Sequence, residues 1–327
     1  MTRIALDAMG GDHAPQQTVL GAVDAAARGV DVVLVGDRQV LSAALEAVGA
    51  DLSIVHAPHT IAMGEDPGSA IRGRREASIC VAARLVAEGE VGGMVSAGST
   101  GAALAAAAII IGRVAGVSRP AIATIFPMGN PTVVLDVGAN LEARPEHLAQ
   151  FAVMGSVMAR VYLGLEDPSV GLLNIGEEAG KGRALEREAH SLMAVAPVRF
   201  VGNVEGRDLG RGKADVFVTD GFTGNVLLKG AEGVARSVGR LILQSLTEGV
   251  DEAFQEAAGV VSPRLAELRE RLDPEAYGGA HLLGTRGTVV IAHGSSSRVA
   301  IANALVMAAE GASRGMVEQI ERGMNSG

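Results

Sequence analysis

The sequence contains no tryptophan, two tyrosines and six phenylalanines. Proteins that bind single-stranded nucleic acid stack the bases on aromatic rings, so this shortage argues against that class. Positive charge is also in deficit, because 28 lysines and arginines face 37 acidic residues and leave a formal net charge of -9. Such a balance provides no long-range attraction to nucleic acid or anionic lipid. We therefore expect no nucleic acid partner, and any anion must be bound by a local cluster of donors.

Cysteine is nearly absent as well, since Cys80 is the only one and lies within an apolar run. One cysteine cannot form an intrachain disulfide or a multi-cysteine metal site, and it suits a reducing compartment. The first residues lack the sustained apolar stretch of a signal peptide, which favours the cytoplasm. The longest apolar run, 102–111, is shorter than the roughly 20 residues of a spanning helix and predicts a buried helix. The seven histidines show no H-E-x-x-H or paired spacing, so no metal site is expected.

What the sequence does have is a series of short apolar runs rich in valine and isoleucine, separated by longer stretches of helical character. The runs mostly lack polar alternation, as expected for strands that are buried on both faces. Strands that alternate with helices in this way predict a doubly wound α/β fold with a mostly parallel sheet. The predicted strands are 4–6, 32–35, 93–95, 121–126, 132–135, 170–173, 198–201, 216–218 and 288–291.

The composition shifts once, between residues 247 and 287, where the chain is charged, contains two prolines and has no strand-like run. Leu265, Leu268 and Leu272 recur at helical spacing in this segment, which favours an amphipathic element. We therefore expect one α/β domain over residues 1–327, with 247–287 as a helical segment that projects from it.

Small polar and glycine-rich loops follow six of the predicted strands. The carboxyl ends of parallel strands share one edge of a sheet, so we expect these loops to converge on one crevice. Glycine lets backbone amides approach a ligand closely, and helices that begin at Thr100, Gly224 and Ser296 would aim their N-terminal amides at an anion. For any single loop, an ordinary turn with Ser, Thr or Asn capping a helix explains the residues equally well. The loops follow Val95, Leu135, Leu173, Val201, Val218 and Ile291.

The standard nucleotide signatures are missing from these loops. Neither G-x-G-x-x-G nor G-x-x-x-x-G-K-[ST] occurs in the chain, which argues against a dinucleotide fingerprint or a Walker-type phosphate loop. A G-x-S-x-G match at 311–315 follows a helical run rather than a strand, so it cannot form the strained turn of a hydrolase nucleophile. Neither nucleotide binding nor serine-hydrolase chemistry is therefore expected.

Taken together, the strand-end segments resemble the phosphate acyltransferase family of bacterial fatty acid and phospholipid synthesis, and the match spans nearly the whole chain. Long ungapped stretches of this kind are more specific than any short motif. The resemblance implies a fold like that of isocitrate and isopropylmalate dehydrogenases and of phosphate acetyltransferase, a homodimer, and neither a metal nor a nucleotide cofactor. The matching stretches are 7–15, 135–140, 145–148, 202–205, 219–225, 277–280 and 292–296.

The resemblance also implies an activity, in which an acyl group passes from acyl carrier protein to inorganic phosphate and gives acyl phosphate for phospholipid synthesis. It implies a cytoplasmic enzyme that contacts the membrane peripherally through 247–287 and supplies a glycerol-phosphate acyltransferase. The chain departs from the family pattern at Ser99, where asparagine is common, and at Glu177, where threonine is usual. Residues 251–273 carry more acid than the family's cationic helix, which weakens the expectation of membrane contact.

This chemistry requires positioning rather than a protein nucleophile. Phosphate already carries a nucleophilic oxyanion, and a thiolate leaves readily because the thiol pKa is about 8.5. The site must therefore offset negative charge and stabilise the oxyanion that develops on the carbonyl. Lys181, between two glycines, is the first candidate for the cation, and Asn225 is the candidate for the oxyanion donor. The alternatives are a solvated loop lysine and a helix cap.

The same loops supply further candidates for binding phosphate and substrate. His13 and His293 could bind phosphate or transfer a proton, although a structural histidine is equally consistent. Asp136 and Asp220 would shape the site by orienting a lysine or histidine, since carboxylates repel phosphate. The full candidate set is Gly10, Gly11, His13, Gly98, Ser99, Thr100, Gly101, Asp136, Gly138, Asn140, Asn203, Asp220, Gly221, Thr223, Gly224, His293, Gly294, Ser295 and Ser296.

An acidic carrier protein requires a local basic patch despite the negative net charge. Arg72, Arg74 and Arg75 form the densest cluster and are the first candidate for carrier docking. A solvated helix start whose charges only aid solubility is the alternative for this cluster. A second candidate set is Arg264, Arg269 and Arg271.

Two other classes of function stay open on the sequence. A nicotinamide-dependent dehydrogenase of the related fold would need a metal-holding carboxylate cluster and a dinucleotide site, and neither can be assigned. A non-catalytic module could instead bind carrier protein and dock synthesis enzymes at the membrane through 247–287.

Overall fold

The structure is a computed structural model that describes residues 2–247, 259 and 277–326. Its described part forms one 11-stranded sheet with helices on both faces. The strands are β1 Arg3–Asp7, β2 Asp31–Gly36, β3 Ser53–His56, β4 Gly93–Ser96, β5 Ala121–Phe126, β6 Thr132–Leu135, β7 Ser169–Leu173, β8 Arg199–Val204, β9 Val216–Val218, β10 Ala280–Leu283 and β11 Thr288–Ile291. The helices are α1 Gln16–Ala27, α2 Arg38–Ala47, α3 Pro67–Gly73, α4 Ser78–Ala87, α5 Thr100–Ala106, α6 Pro145–Leu163, α7 Ala184–Met193, α8 Gly221–Thr247, α9 Arg298–Ser313 and α10 Met316–Met324.

All nine strands predicted from apolar runs are present. Strands β4, β6, β7, β9 and β11 are buried at every position, because helices cover both faces of the sheet. Cys80 is fully buried in α4, which confirms that it fills the core. The run 102–111 forms α5 and a π-helical turn, Ala107–Ile111. The α/β class with a mostly parallel sheet is therefore confirmed.

Two strands were not predicted. Strand β3 lies at the edge of the sheet and is only partly buried, so its apolar signal is weak. Strand β10 falls inside 247–287, where no strand was expected, and the prediction was wrong there. It was missed because His281 interrupts a short apolar stretch that follows two glycines. Residues 248–258 and 260–276 of the segment, which include Leu265, Leu268, Leu272 and the second arginine set, lie outside the described residues.

The sheet changes strand direction near its middle. The strand order is β3-β2-β1-β4-β11-β10-β5-β6-β9-β7-β8. Strand β10 is antiparallel to both β11 and β5, and β5 is antiparallel to β6. Strands β1, β2, β3, β4 and β11 therefore run in one direction, and β6, β9, β7 and β8 run in the opposite direction. The carboxyl ends of these two sets lie at opposite edges of the sheet.

The core is layered on the two faces of this sheet. One face is covered along its length by α3, α4 and α5 and by Leu227, Leu228 and Ala231 of α8. On the other face, α1, α2 and α9 pack on the half that contains β1. Helices α6, α7 and α10 pack on the half that contains β6. Helix α8 therefore lies on the same face as α5.

A buried polar pair joins β10 to two helices in the second half of the core. His281 is completely buried, and its Nε2 atom lies 2.7 Å from the hydroxyl of Tyr162. That hydroxyl donates to the carbonyl oxygen of Met307 at 2.8 Å, so it accepts a hydrogen bond from the histidine ring. Burial lowers the pKa of His281 from 6.5 to about 3. The ring is neutral in the folded protein at pH 5, where the unfolded chain protonates it.

This difference in pKa predicts that the protein loses stability in mild acid. The contribution of neutral His281 to the free energy of unfolding is complete above pH 6.5. It declines as the pH falls towards 3, because the histidine is protonated in the unfolded chain before it is protonated in the folded protein. We expect the free energy of unfolding to be about 2 kcal/mol lower at pH 5 than at pH 7.5 from this residue alone. Urea unfolding of the wild type and of His281→Gln at both pH values measures it. The same pH dependence in both proteins would contradict the prediction.

Candidate active site

The six strand-end loops form two groups rather than one crevice. The loops after β1, β4 and β11 lie at one edge of the sheet, here called the β1 edge. The loops after β6, β9, β7 and β8 lie at the opposite edge, here called the β6 edge. The expectation of a single crevice was wrong, because apolar runs do not reveal strand direction and β10, β5 and β6 reverse it.

At the β1 edge, the loops are packed around a buried carboxylate. Asp7 is 2% exposed and accepts a hydrogen bond from the Ser96 hydroxyl at 2.8 Å, which in turn accepts one from the Gly98 amide at 3.1 Å. Burial raises the pKa of Asp7, although hydrogen bonds oppose the shift. A β-carbon on Gly10 would lie 2.6 Å from the Asp7 carboxylate, so only glycine fits there.

The remaining candidates at the β1 edge are more open. His293 is exposed, and its Nδ1 atom lies 2.8 Å from the hydroxyl of Ser295. The Asp12 amide donates to the Gly294 carbonyl at 2.8 Å, which ties the loops after β1 and β11 together. Ser99 caps α5, which begins at Thr100 as predicted. His13 is exposed, Gly11 lies in the same loop after β1, and Gly101 lies in the first turn of α5.

One predicted helix start at this edge was wrong. Helix α9 begins at Arg298, with Ser297 as its N-cap, and not at Ser296. Ser296 is 5% exposed, and its amide donates to the carbonyl of His293. Because the Ser296 amide is hydrogen-bonded within this turn, it is not available to bind an anion as predicted.

At the β6 edge, Asp136 organises the turn after β6. It is fully buried, and one carboxylate oxygen accepts from the amides of Ile122, Gly138 and Ala139 at 3.0–3.1 Å. The other oxygen accepts from the amide of Asn140 at 2.6 Å and from its side chain at 2.8 Å. These bonds satisfy the carboxylate within the protein, so Asp136 holds the turn in place.

Helix α8 begins against this turn at Gly221, three residues before the predicted start at Gly224. Asp220 caps it by accepting from the amide of Thr223 at 2.8 Å and from its hydroxyl at 2.9 Å. A β-carbon on Gly224 would overlap the carbonyl oxygen of Asp136, so glycine allows the helix and turn to approach closely. Because Asp220 is the cap, Asn225 is not, and its half-buried side chain makes no hydrogen bond with a described residue.

Lys181 lies in the loop after β7, hereafter the Lys181 loop (174–182). Its side chain is exposed and forms no ion pair with any residue that the structure describes. The loop itself is held, because Asn203 donates to the Glu178 carbonyl at 2.8 Å and Lys213 pairs with Glu177 at 2.8 Å. Asn203 lies within β8 and not in the loop after it, which corrects the predicted end of that strand.

Arg183 is a residue of this edge that the sequence analysis did not identify. Its Nη2 atom lies 2.6 Å from Asp220 and 2.5 Å from Glu186. Burial raises the pKa of Asp220, but the hydrogen bonds from Thr223 and Arg183 outweigh it and hold the pKa below its ordinary value. Glu186 lies three positions after Arg183, a spacing typical of helix starts that could have drawn attention to it.

The arginine cluster borders the β1 edge and is less free than expected. Arg74 forms an ion pair with Glu65 and donates to the Thr60 carbonyl at 2.9 Å, so it braces its own loop. Arg72 and Arg75 are exposed. The loop before α3 approaches the β1 edge, since Met63 contacts the position of Gly294 and Pro67 that of Gly101.

Across 2–247, 259 and 277–326, no group of three or more His, Cys, Asp or Glu side chains could hold a metal ion. Within those ranges, no helix combines the length and apolar character of a membrane span.

The fold places the chain in a known structural class. A phosphotransacetylase from Streptococcus pyogenes superposes with a TM-score of 0.64 at 18% identity, covering 96% of this chain and 94% of the other. A 4-hydroxythreonine-4-phosphate dehydrogenase from Burkholderia phymatum superposes with a TM-score of 0.51 at 15% identity, covering 99% and 98%. At these identities the likeness shows a shared α/β fold only.

Sequence comparison identifies the family of this chain, whereas the fold alone does not. The family model described as "Fatty acid synthesis protein" matches residues 2–319, and the chain belongs to this family. A phosphate acyltransferase of Desulforamulus reducens is 48% identical over 100% of this chain and 98% of its own. One of Thermus thermophilus is 47% identical over 99% of each chain. The resemblance to phosphate acyltransferases drawn from the strand-end segments is therefore confirmed.

Proposed function

We propose that this chain transfers an acyl group from acyl carrier protein to inorganic phosphate, with Lys181 and Asn225 as the residues that act on the reacting atoms. The observation that carries the site is at the β6 edge, where Lys181, which has no ion pair among the described residues, and Asn225, which does not cap its helix, lie on elements joined by Arg183 and Asp220. Relatives named phosphate acyltransferase at full length support the reaction.

The reaction needs only charge balance and orientation from these residues. A phosphate oxygen attacks the thioester carbonyl carbon, and the carbonyl oxygen becomes an oxyanion. Lys181 offsets the charge of phosphate, and the Asn225 amide donates to the oxyanion. The intermediate then collapses, the carbon–sulfur bond breaks, and the carrier leaves as a thiolate that needs no strong acid.

The remaining candidate residues divide between the two edges. At the β6 edge we propose that the backbone around the start of α8 lines the phosphate site, while Asp136 and Asp220 shape it. At the β1 edge we propose substrate contacts on the side where the arginine cluster lies. The β6 set is Asp136, Gly138, Asn140, Asn203, Asp220, Gly221, Thr223 and Gly224; the β1 set is Gly10, Gly11, His13, Gly98, Ser99, Thr100, Gly101, His293, Gly294, Ser295 and Ser296.

The direct test is a rate assay on the purified chain. Long-chain acyl carrier protein is incubated with and without phosphate in metal-free buffer, and released carrier thiol is measured. Release that depends on phosphate supports the proposal. Release at the same rate without phosphate would indicate a thioesterase and contradict it.

Carrier docking is proposed at Arg72 and Arg75, while Arg74 braces its loop. Reversing both exposed charges to glutamate should raise the Michaelis constant for the carrier substrate roughly tenfold, since exposed pairs contribute up to about 1 kcal/mol each. Arg322→Glu, an exposed reversal on α10, is the matched control. An unchanged Michaelis constant in the double reversal would exclude this patch as the carrier-docking site.

A homodimer is proposed through α8. Within the described residues this helix exposes an apolar face, and a second copy of the same face would cover it. The exposed members are Phe222, Val226, Val234, Val238, Leu241 and Ile242. Light scattering on the purified chain should give twice the monomer mass of 33.2 kDa. A monomer at micromolar concentration would contradict the proposal.

The finer fold assignment and the cellular context are also proposals. The likeness to a 4-hydroxythreonine-4-phosphate dehydrogenase supports a sheet of the isocitrate and isopropylmalate dehydrogenase type. We propose a cytoplasmic enzyme with peripheral membrane contact through 247–287 and a glycerol-phosphate acyltransferase as the downstream partner. Co-sedimentation with anionic vesicles tests the membrane contact, and a protein that stays in the supernatant would contradict it.

A further inference from the structure

A single arginine joins the Lys181 loop to the start of α8. The Nη2 atom of Arg183 lies 2.6 Å from Asp220 Oδ2 and 2.5 Å from Glu186 Oε1, and its Nε atom lies 2.9 Å from the same Glu186 oxygen. Lys181 is two residues away in the chain, and Asp220 caps the helix that carries Asn225. One side chain therefore connects the two elements on which the proposed catalytic residues stand.

Two buried carboxylates, those of Asp220 and Glu186, have their negative charge balanced by this guanidinium. The side chains of Asp220 and Glu186 are 4% and 10% exposed, whereas that of Arg183 is 62% exposed. Among the described residues, neither carboxylate forms an ion pair with any other cation. Buried carboxylates of like charge repel each other unless a cation lies between them. Arg183 therefore holds together two groups that would otherwise separate.

The geometry of arginine suits this position. Its planar guanidinium presents donors at fixed angles, so it binds two carboxylates at a defined separation. A lysine ammonium is a point charge on a flexible stem and fixes no such angle. Because α7 begins directly after Arg183 and carries Glu186, the bridge also orients the end of the Lys181 loop.

We infer that Arg183 is a positioning residue for acyl transfer, which sets the placement of Lys181 relative to Asn225 by bridging Asp220 and Glu186. The inference rests on the proposed function, because it assigns a role with respect to those two residues. A displacement on the order of 1 Å at a catalytic group costs roughly 100-fold in rate. The loss should fall on kcat rather than on the Michaelis constant for the carrier substrate, since Arg183 does not touch the arginine cluster.

Four variants separate positioning from simple charge neutralisation. Arg183→Met should lower kcat roughly 100-fold and leave the Michaelis constant for the carrier within about twofold. Arg183→Lys should recover part of kcat, because lysine can pair with one carboxylate. The double variant Arg183→Met with Glu186→Gln removes the excess charge and should restore the thermal midpoint but not kcat. The control is Arg199→Met. Arg199 also forms an ion pair, with Asp167, but it lies at the start of β8, at the end of the strand away from the β6 edge.

The outcomes decide between the two roles. A double variant that recovers both the midpoint and kcat would show that Arg183 only neutralises charge, and would overturn the inference. Wild-type kcat in Arg183→Met would also overturn it, while the wild-type assay still supports the proposed function. A wild-type protein without phosphate-dependent thiol release would instead overturn the proposed function itself. Should Arg183→Met fail to fold, the double variant carries the test.

Discussion

Replacing Lys181 with alanine should reduce phosphate-dependent acyl transfer by two to three orders of magnitude, the range observed when a group that stabilises developing charge is removed. The expectation rests on the exposed side chain, which forms no ion pair with the described residues and so leaves its charge available for phosphate. The rate of carrier thiol release at a saturating concentration of acylated carrier protein measures it. The Michaelis constant for phosphate should also rise, because the same charge attracts the nucleophile.

A neighbouring lysine provides the control for this variant. Lys213 already pairs with Glu177 and Asp208, so Lys213→Ala removes a paired positive charge and one of the two contacts that hold the Lys181 loop, while the hydrogen bond from Asn203 to the Glu178 carbonyl remains. We expect it to cost less than Lys181→Ala by at least tenfold. Equal losses of rate in Lys181→Ala and Lys213→Ala would contradict a particular role for Lys181.

The second large effect is expected at Asn225. Asn225→Ala removes one oxyanion donor, which typically costs about 3 kcal/mol of barrier and a factor of roughly 100 in kcat. Asn225→Asp should be at least as damaging, since a carboxylate would repel the oxyanion. Helix α8 should remain intact in both variants, because its cap is Asp220 and not Asn225.

Separate measurements of kcat and the Michaelis constants distinguish a donor from a structural residue. The loss should appear in kcat with little change in either Michaelis constant, since the oxyanion exists only during reaction. Arg236→Gln, an exposed substitution on the same helix that lies away from Val234 and Val238, is the control. A loss of helical stability in Asn225→Ala that accounts for the lost rate would return Asn225 to a structural role.

The sequence predicted the elements of the fold better than their arrangement. The apolar runs located nine strands because burial on both faces leaves a continuous pattern of valine and isoleucine. The same pattern is silent on direction, so it could not show that β10, β5 and β6 reverse the sheet. Strand β10 was hidden for a related reason, since its buried histidine reads as polar but is paired with Tyr162.

The site residues were predicted by type and placed less well by geometry. Glycine-rich stretches located the loops, but the start of α8 depends on the capping carboxylate of Asp220, which sequence spacing did not distinguish from Gly224. Arg183 was missed because Asp220 is 37 residues away and only the fold brings the two together, although the spacing to its local partner Glu186 was visible in the sequence. Arg74 was grouped with the carrier-docking arginines because the conformation of the chain between Glu65 and Arg74, which allows their ion pair, could not be predicted.

The most direct test of the account is the identity of the product. Wild-type protein, long-chain acyl carrier protein and ¹⁸O-labelled phosphate are incubated in metal-free buffer, and the products are analysed by mass spectrometry. Transfer to phosphate predicts a fatty acyl phosphate that retains all the label, formed in proportion to free carrier and nearly absent with Lys181→Ala. Free fatty acid without labelled acyl phosphate, in the wild type, would contradict acyl transfer to phosphate.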